Sequence, residues 1–215
     1  MDRRGKAIVL VSGGFDSAAL LTWALHRFAM VQPVYCCFGL RWEKAELFWL
    51  KKFLRDIPDS ALHPLAVLET SSKSLYGPHW SFTGKKVPGS RSPDPAVYLP
   101  GRNILLLSQA GVYAAEKGFN KLFVGTLAAN PFRDATPHFF KTMGHALTLA
   151  FGKTIKISAP FRKKTKRKVL KAFPTIPLNL IFSCLKPKGM GPCGNCNKCT
   201  ELSQLKDLRS PPHLK

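Results

Sequence analysis

Acidic side chains are scarce in this sequence of 215 residues, which has 12 Asp and Glu against 33 Lys and Arg and a formal net charge of +21. No acidic residue occurs between Ala135 and Thr200. Because a strongly positive field attracts anions, the composition favours nucleotides, nucleic acid or an acidic protein as partners. The charge by itself does not distinguish among these three.

Long apolar runs are also missing. No run approaches the roughly 20 apolar residues that a membrane-spanning helix needs. The charged start at residues 1–6 leads straight into a short apolar run at 7–11, without the longer apolar segment of a secretory signal. We therefore expect a soluble, cytoplasmic protein without membrane contact. Hydrophobic residues make up 45% of the chain, which is enough for the core of one domain over residues 1–215.

The six cysteines are too few for a disulfide scaffold, and four of them lie close together near the C-terminus. Cys193, Cys196 and Cys199 follow one another at three-residue spacing, and Cys184 precedes them. Four thiolates can close a tetrahedral shell around one ion, so the spacing predicts a structural zinc loop. A disulfide pair, a redox or sulfur-relay site and an iron–sulfur cluster are the alternatives.

Apolar runs and helical periods alternate along most of the chain, which predicts an α/β fold: a parallel sheet with helices on both faces. The pattern stops at 71–100, where five prolines and three glycines exclude a long regular element. A loop of that length is typical of a functional lid. The predicted strands are 7–11, 31–38, 62–68, 121–125 and 154–158, and the predicted helices are 15–29, 43–55, 103–117 and 137–151.

A glycine-rich turn follows the first predicted strand, because residues 12–17 read Ser-Gly-Gly-Phe-Asp-Ser and a helical pattern starts at once. Free N–H groups at a helix start, together with the close backbone approach that glycine allows, suit such a turn to an anion. Asp16 would repel phosphate unless a cation lies between them, so the turn predicts Mg²⁺ bound with a nucleotide. A plain strand-to-helix turn with Asp or Ser as N-cap is the alternative.

Two further segments lead into helices, one directly after the proline-rich loop and one after a strand. Residues 100–103 read Pro-Gly-Arg-Asn and open a helix, where Arg102 offers a guanidinium for phosphate or carboxylate. Residues 134–139 read Asp-Ala-Thr-Pro-His-Phe, follow a strand that ends in Gly-Thr, and lead into another helix. Because open α/β sheets bind ligands at strand ends, we expect both segments near a ligand.

The joint order of these motifs resembles that of the 7-cyano-7-deazaguanine synthases, the QueC-like family of the adenine nucleotide alpha hydrolase (PP-loop ATPase) superfamily, over nearly the whole chain. The resemblance implies a Rossmann-like PP-loop ATPase fold and an ATP-dependent, AMP-forming carbon–nitrogen ligase of queuosine biosynthesis. Such an enzyme adenylates the carboxylate of 7-carboxy-7-deazaguanine and converts it with ammonia to the nitrile, releasing AMP and pyrophosphate. A homodimer is implied as well.

Roles follow from the resemblance residue by residue. It implies that Asp16, Arg102 and Lys166 serve catalysis. In the proline-rich loop we expect Trp80 to stack on the deazapurine, with packing of the loop as the alternative. The other residues assigned to substrate binding are Arg41, Asp134 and Phe139. ATP and Mg²⁺ are assigned to Ser12, Gly13, Gly14, Asp16, Ser17, Gly101, Arg102 and Asn103. Zn²⁺ is assigned to Cys184, Cys193, Cys196 and Cys199.

Three segments depart from the family pattern. Residues 39–42 read Gly-Leu-Arg-Trp where the family has Gly-Gln-Arg-His, His138 replaces a glutamate, and residues 165–168 read Thr-Lys-Arg-Lys instead of Ser-Lys-x-Glu. The change at 40–42 and the basic surface motivate one alternative, in which the adenylated substrate passes to an amine of a partner protein. A second alternative is a tRNA-modifying or RNA-binding protein that holds tRNA through its basic region, 160–215. The plainer interpretation of that charge is a solvated helix face.

Overall fold

One parallel sheet organises the protein, whose computed structural model describes residues 3–209. Residues 1–2 and 210–215, the two ends of the single domain predicted from the sequence, lie outside the described residues. The strand order is β3-β2-β1-β4-β5, and each neighbouring pair is parallel. The strands are β1 (Lys6–Leu10), β2 (Met30–Cys37), β3 (Ala66–Glu69), β4 (Lys121–Phe123) and β5 (Lys156–Ser158).

Helices cover both faces of this sheet, as the apolar run in β1 requires. Ala7 and Val9 belong to one buried cluster and Ile8 to the other, because successive residues of a strand face opposite sides. The predicted α/β class is therefore confirmed. The helices are α1 (Phe15–Leu25), α2 (Glu43–Arg55), α3 (Lys73–Tyr76), α4 (Trp80–Thr83), α5 (Arg102–Glu116), α6 (Pro137–Phe151), α7 (Lys166–Ala172) and α8 (Asn197–Asp207).

Several element boundaries differ from the predicted ones. The first helix ends at Leu25 rather than at 29, because the chain turns there and brings Phe28 into the core. β3 begins at Ala66 rather than at 62, since Pro64 has no N–H for strand pairing. No helix is predicted from the sequence where α8 lies, whereas α7 lies in the basic region for which a solvated helix face is the plainer interpretation. Among residues 3–209, no helix is both long and apolar enough to cross a membrane.

The loop at 71–100 is packed rather than extended. It contains α3, α4 and a 3₁₀ turn (Asp94–Val97), and its Ser72 and Ser81 are buried. Its far end is joined to the C-terminal region, because the Asn197 side chain donates to the Ser92 carbonyl oxygen at 2.7 Å. Within the described part of the chain, no residue of 71–100 lines the cavity that opens at the carboxyl ends of β1, β2 and β4. A lid role for this loop stays a prediction.

Candidate active site

A cavity of about 320 Å³ opens at the carboxyl ends of β1, β2 and β4. Ligands of open parallel sheets bind at this edge, so the cavity is the candidate site. Its walls include eight of the residues that the sequence analysis singled out: Ser12, Gly14, Asp16, Ser17, Arg102, Asn103, Lys166 and Cys184. They also include polar residues that it missed: Tyr35, Glu46, Thr126, Lys198 and Glu201.

The glycine-rich turn forms one wall of the cavity. Gly13 has φ of +74°, and a Cβ there would lie 3.3 Å from the Glu46 carbonyl oxygen, so only glycine fits without strain. Gly14 is the N-cap of α1 and brings no side-chain cap, which leaves the first N–H groups of the helix available to an anion. The Ser17 hydroxyl braces the turn, since it donates to the Gly14 carbonyl at 2.9 Å and accepts the Ser12 N–H at 3.1 Å.

Two lysines and two carboxylates meet beside this turn. The Lys166 ammonium lies 3.5 Å from Asp16 Oδ1 and also contacts Glu201, while Lys198 lies 2.8 Å from Glu201 Oε2. Burial raises the pKa of Asp16, and the charge of Lys166 opposes that shift. Burial also acts to raise the pKa of Glu201, but Lys166 and Lys198 prevail and lower it to about 2. Glu201 is therefore an anion that offsets part of the positive charge of Lys166 and Lys198.

The start of α5 is held by the segment that precedes α6. Gly101, with φ of +72°, turns the chain into α5. The Asn103 N–H donates to Asp134 Oδ2 at 3.2 Å, and the Asn103 side-chain amide donates to the Asp134 carbonyl at 2.9 Å. Asp134 itself does not line the cavity, so it positions Asn103 from behind.

Two buried donors at the cavity lack partners. Arg102 Nε and Thr126 Oγ1 have no hydrogen bond in the described structure, and a buried acceptor, Asp16 Oδ1, has only its ion pair with Lys166. An unpaired buried donor is costly unless a ligand pairs with it. Both donors therefore indicate that the cavity takes a polar ligand.

Arg162, which the sequence analysis did not single out, holds the loop that carries Asp134. Its guanidinium donates only to backbone carbonyls, so it fixes the path of that loop rather than a side chain. No short motif could have revealed this, because the acceptors are backbone atoms. They belong to Leu127, Ala128, Asn130 and Ala135.

None of the four residues predicted to bind substrate lines the cavity: Asp134 lies behind it, and Arg41, Trp80 and Phe139 make contacts elsewhere. The Arg41 guanidinium packs against Gly84, where a Cβ would lie 1.2 Å from it. Trp80 stacks on Trp42, with ring centroids 5.7 Å apart, and Trp42 rather than Trp80 lines the cavity. Phe139 lies on α6 and contacts Phe140 edge-on at 5.8 Å. The structure thus does not bring these three side chains together at the glycine-rich turn.

Two buried glutamates at the start of α2 were missed. Glu43 accepts the N–H groups of Phe38 and Gly39 at 2.8 and 3.0 Å and so fixes the chain beyond β2. Glu46 accepts the Tyr35 hydroxyl at 2.6 Å and lines the cavity. Both precede the buried Leu50 at helical spacing, by seven and four residues. Acids on the buried face of an amphipathic helix are the signal that could have found them.

The four C-terminal cysteines form one cluster whose sulfur atoms all lie within 4.8 Å of one another. Sulfurs of Cys196 and Cys199 are 3.5 Å apart, and those of Cys193 and Cys199 are 3.9 Å apart. A tetrahedral zinc site with Zn–S of about 2.3 Å separates its sulfurs by about 3.8 Å. The Leu185 N–H donates to the Cys196 sulfur at 3.4 Å, and the neighbouring Cys184 and Cys199 thiols lower the pKa of Cys196. The cluster could therefore hold a metal ion.

The cysteine cluster and the cavity have a residue and a helix in common. Cys184 lies in both, and α8 carries Cys199 at its start and Glu201 two residues later. The C-terminal region thus supplies a wall of the cavity as well as the cluster.

Comparison with known proteins agrees with this architecture. The family model of the queuosine biosynthesis protein QueC matches residues 6–204. A 7-cyano-7-deazaguanine synthase of Leptospira interrogans serogroup Icterohaemorrhagiae is 33% identical over 207 residues, which cover 89% of this chain and 82% of the relative.

Solved structures share the fold at lower identity. A 4-thiouridine synthetase in complex with RNA and ATP is 20% identical with a TM-score of 0.54, covering 95% of this chain and 50% of that one. The U34-tRNA thiolase NcsA of Methanococcus maripaludis, with its [4Fe-4S] cluster, is 14% identical with a TM-score of 0.53, covering 96% of this chain and 66% of that one.

Proposed function

The chain belongs to the queuosine biosynthesis protein QueC family, and from that membership we propose that it acts as an ATP-dependent 7-cyano-7-deazaguanine synthase. Its substrate is 7-carboxy-7-deazaguanine, its nitrogen donor is ammonia, and its products are the nitrile, AMP and pyrophosphate. The observation that carries the proposal is the cavity, which joins the glycine-rich turn, Arg102 and Lys166 in one space.

The turn and the lysines support the assignment of ATP. Helix-start N–H groups after Gly14 and the ammonium groups of Lys166 and Lys198 offer donors and positive charge to a triphosphate. Asp16 supplies carboxylate oxygens at the same place, which are ligands that Mg²⁺ prefers. Mg²⁺ held there by Asp16 would neutralise phosphate charge.

Activation of the substrate needs positioning more than a protein nucleophile. A substrate carboxylate oxygen attacks the α-phosphorus of ATP, the bond to pyrophosphate breaks, and an acyl-adenylate forms. Ammonia then attacks the acyl carbon and loses a proton, and AMP leaves to give the amide. A second ATP adenylates the amide oxygen and releases a second pyrophosphate. Loss of AMP and of the two N–H protons from this adduct then gives the nitrile. Arg102 is placed to offset the negative charge that develops in these steps.

The cysteine cluster supports a structural zinc site. Its sulfurs approach as closely as 3.5 Å, which leaves room for a single ion but not for the inorganic core of an iron–sulfur cluster between them. Zn²⁺ would be held by Cys184, Cys193, Cys196 and Cys199. Four thiolates leave no open coordination position, so these residues serve folding rather than the reaction.

The decisive experiment is mass spectrometry of the purified chain incubated with Mg²⁺, ATP, 7-carboxy-7-deazaguanine and ammonium. The proposal requires AMP and the nitrile to appear together, and Asp16→Asn to abolish both. AMP with only the adenylate or amide would instead favour acyl transfer to a protein amine. Absence of AMP would limit the family relationship to the fold.

A further inference from the structure

Glu46 is a carboxylate that phosphate binding does not explain. It is 9% exposed and lines the cavity, and its Cγ lies 3.5 Å from the position of a Cβ on Gly13. When this carboxyl group is ionised, its charge beside the glycine-rich turn repels phosphate. Because burial of a carboxylate is unfavourable without partners, this residue calls for a ligand with hydrogen-bond donors.

The protein itself satisfies only part of this carboxylate. The Tyr35 hydroxyl donates to Glu46 Oε2 at 2.6 Å, and in the described residues no second donor reaches the carboxylate. An ionised carboxylate accepts about four hydrogen bonds. Acceptor capacity thus remains at the cavity wall.

We propose that Glu46 accepts hydrogen bonds from the ring N1–H and the 2-amino group of the deazaguanine, and so selects this base. The inference rests on the proposed function and assigns a specificity-determining residue to it. A guanine-type edge presents two adjacent N–H donors, which suit one carboxylate. Adenine presents an acceptor, N1, beside its amino group, and that acceptor is repelled by a carboxylate.

Glu43 provides a matched control on the same helix. It is 7% exposed, so it is buried to a similar degree. Its two oxygens are used by the N–H groups of Phe38 and Gly39, and it does not line the cavity. Loss of a buried carboxylate from α2 is common to Glu43→Gln and Glu46→Gln, whereas loss of the proposed ligand contact is confined to Glu46→Gln.

The test compares two ligands that differ only in the 2-amino group: 7-carboxy-7-deazaguanine and 7-carboxy-7-deazahypoxanthine. Their affinities for the full-length, metal-loaded chain are measured by titration calorimetry in the presence of a non-hydrolysable ATP analogue. We expect the unaltered chain and Glu43→Gln to prefer the 2-amino ligand by about 10- to 100-fold. Glu46→Gln is expected to lose most of that preference and to keep its affinity for the ATP analogue.

Each other outcome counts against the inference. An unchanged preference in Glu46→Gln overturns it, and a lowered affinity for the ATP analogue alone assigns Glu46 to the nucleotide instead. If the unaltered chain binds neither deazapurine, the proposed function fails and the inference falls with it. Should Glu46→Gln not fold, Glu46→Asp keeps the charge but withdraws it by one methylene, and an unchanged preference in that variant overturns the inference equally.

Discussion

At the scale of single residues, Glu201 pairs with the ammonium groups that line the cavity. It bonds Lys166 and Lys198, both of which line the cavity. A phosphate that enters must compete with this carboxylate for the same ammonium groups. Glu201 is therefore an internal competitor of the anionic ligand.

We expect Glu201→Gln to bind pyrophosphate more tightly than the unaltered chain. Because these ion pairs are partly exposed, the gain is about twofold to fivefold. Titration calorimetry with pyrophosphate measures it. Glu116→Gln, which removes an exposed glutamate at the end of α5, is the control and leaves the affinity unchanged; weaker binding in Glu201→Gln would show that Glu201 instead holds the lysines in place.

A second residue-scale prediction concerns pH. Burial raises the pKa of Glu46 from 4.5 to about 7, against the opposing effects of Tyr35 and Arg102. The folded chain thus holds this proton more tightly than the unfolded chain, and the resulting stability is present below about pH 4.5 and lost as the pH rises through 7.

Urea unfolding at pH 5 and pH 8 tests the shift. Between pH 5 and pH 8, we expect the free energy of unfolding of the unaltered chain to fall by on the order of 3 kcal/mol more than that of Glu46→Gln. Contributions that the two chains share, such as the cysteine cluster, cancel in this comparison. Equal losses in both chains would contradict the prediction.

At the scale of elements, α7 begins with an unfavourable sequence. The Thr165 hydroxyl caps the helix by accepting the Lys168 N–H at 3.3 Å, but Lys166, Arg167 and Lys168 place three cations in its first turn. A glutamate at the Lys168 position would complete a capping box, and its negative charge would interact favourably with the positive end of the helix dipole.

We therefore expect Lys168→Glu to raise the melting temperature by about 2–4 °C, for a gain of about 1 kcal/mol. Thermal unfolding followed by circular dichroism measures this. Lys171→Glu makes the same change of charge in the last turn of α7, at the negative end of the dipole. It is therefore expected to lower the melting temperature or leave it unchanged. A rise of equal size in both variants would point to net charge rather than to capping.

The cysteine cluster gives a second element-scale prediction. Cys193→Ser removes one of four ligands, so we expect loss of bound zinc and a free energy of unfolding lower by several kcal/mol, since a closed metal site contributes directly to folding. Metal analysis and urea unfolding check both. As a control, the chain with Cys37→Ser, a change on β2 outside the cluster, is expected to keep its full zinc content. Full zinc content in Cys193→Ser would refute the assignment.

The sequence predicts those parts of the structure whose residues are contiguous in the chain. The glycine-rich turn, residues 100–103 and the cysteine spacing carry their geometry locally, and the strand–helix alternation follows from periodicity. Glu201 and Arg162 are single residues whose partners are distant in the chain, so no pattern marks them. Trp80 illustrates the opposite case, because an aromatic residue in the long loop suggests a base contact, with packing as the alternative, and its ring stacks on Trp42.

At the scale of the whole molecule, charge is distributed unevenly. Several acidic side chains lie buried in or behind the cavity, whereas Lys163, Lys164, Lys168 and Lys171 are exposed. The homodimer implied by the family and the docking of tRNA or an acidic protein stay predictions. The exposed lysines nevertheless have a measurable consequence.

We expect binding of bulk tRNA to weaken steeply with salt, because it releases counterions from the nucleic acid. Replacing the four exposed lysines by glutamine is expected to reduce the magnitude of the slope of log affinity against log salt by about 3 to 4. Fluorescence anisotropy from 50 to 300 mM salt measures it. A control with Lys44, Lys51, Lys85 and Lys86 replaced changes net charge equally; an equal loss there would show that only the overall charge matters.

The shared cavity wall also sets an order of events during synthesis. The turn at residues 12–17 leaves the ribosome long before Cys184, Lys198 and Glu201 are added. A nascent chain that has not reached these residues therefore carries the glycine-rich turn without the wall that closes over it. Completion of the proposed nucleotide site thus requires that α8 has been synthesised.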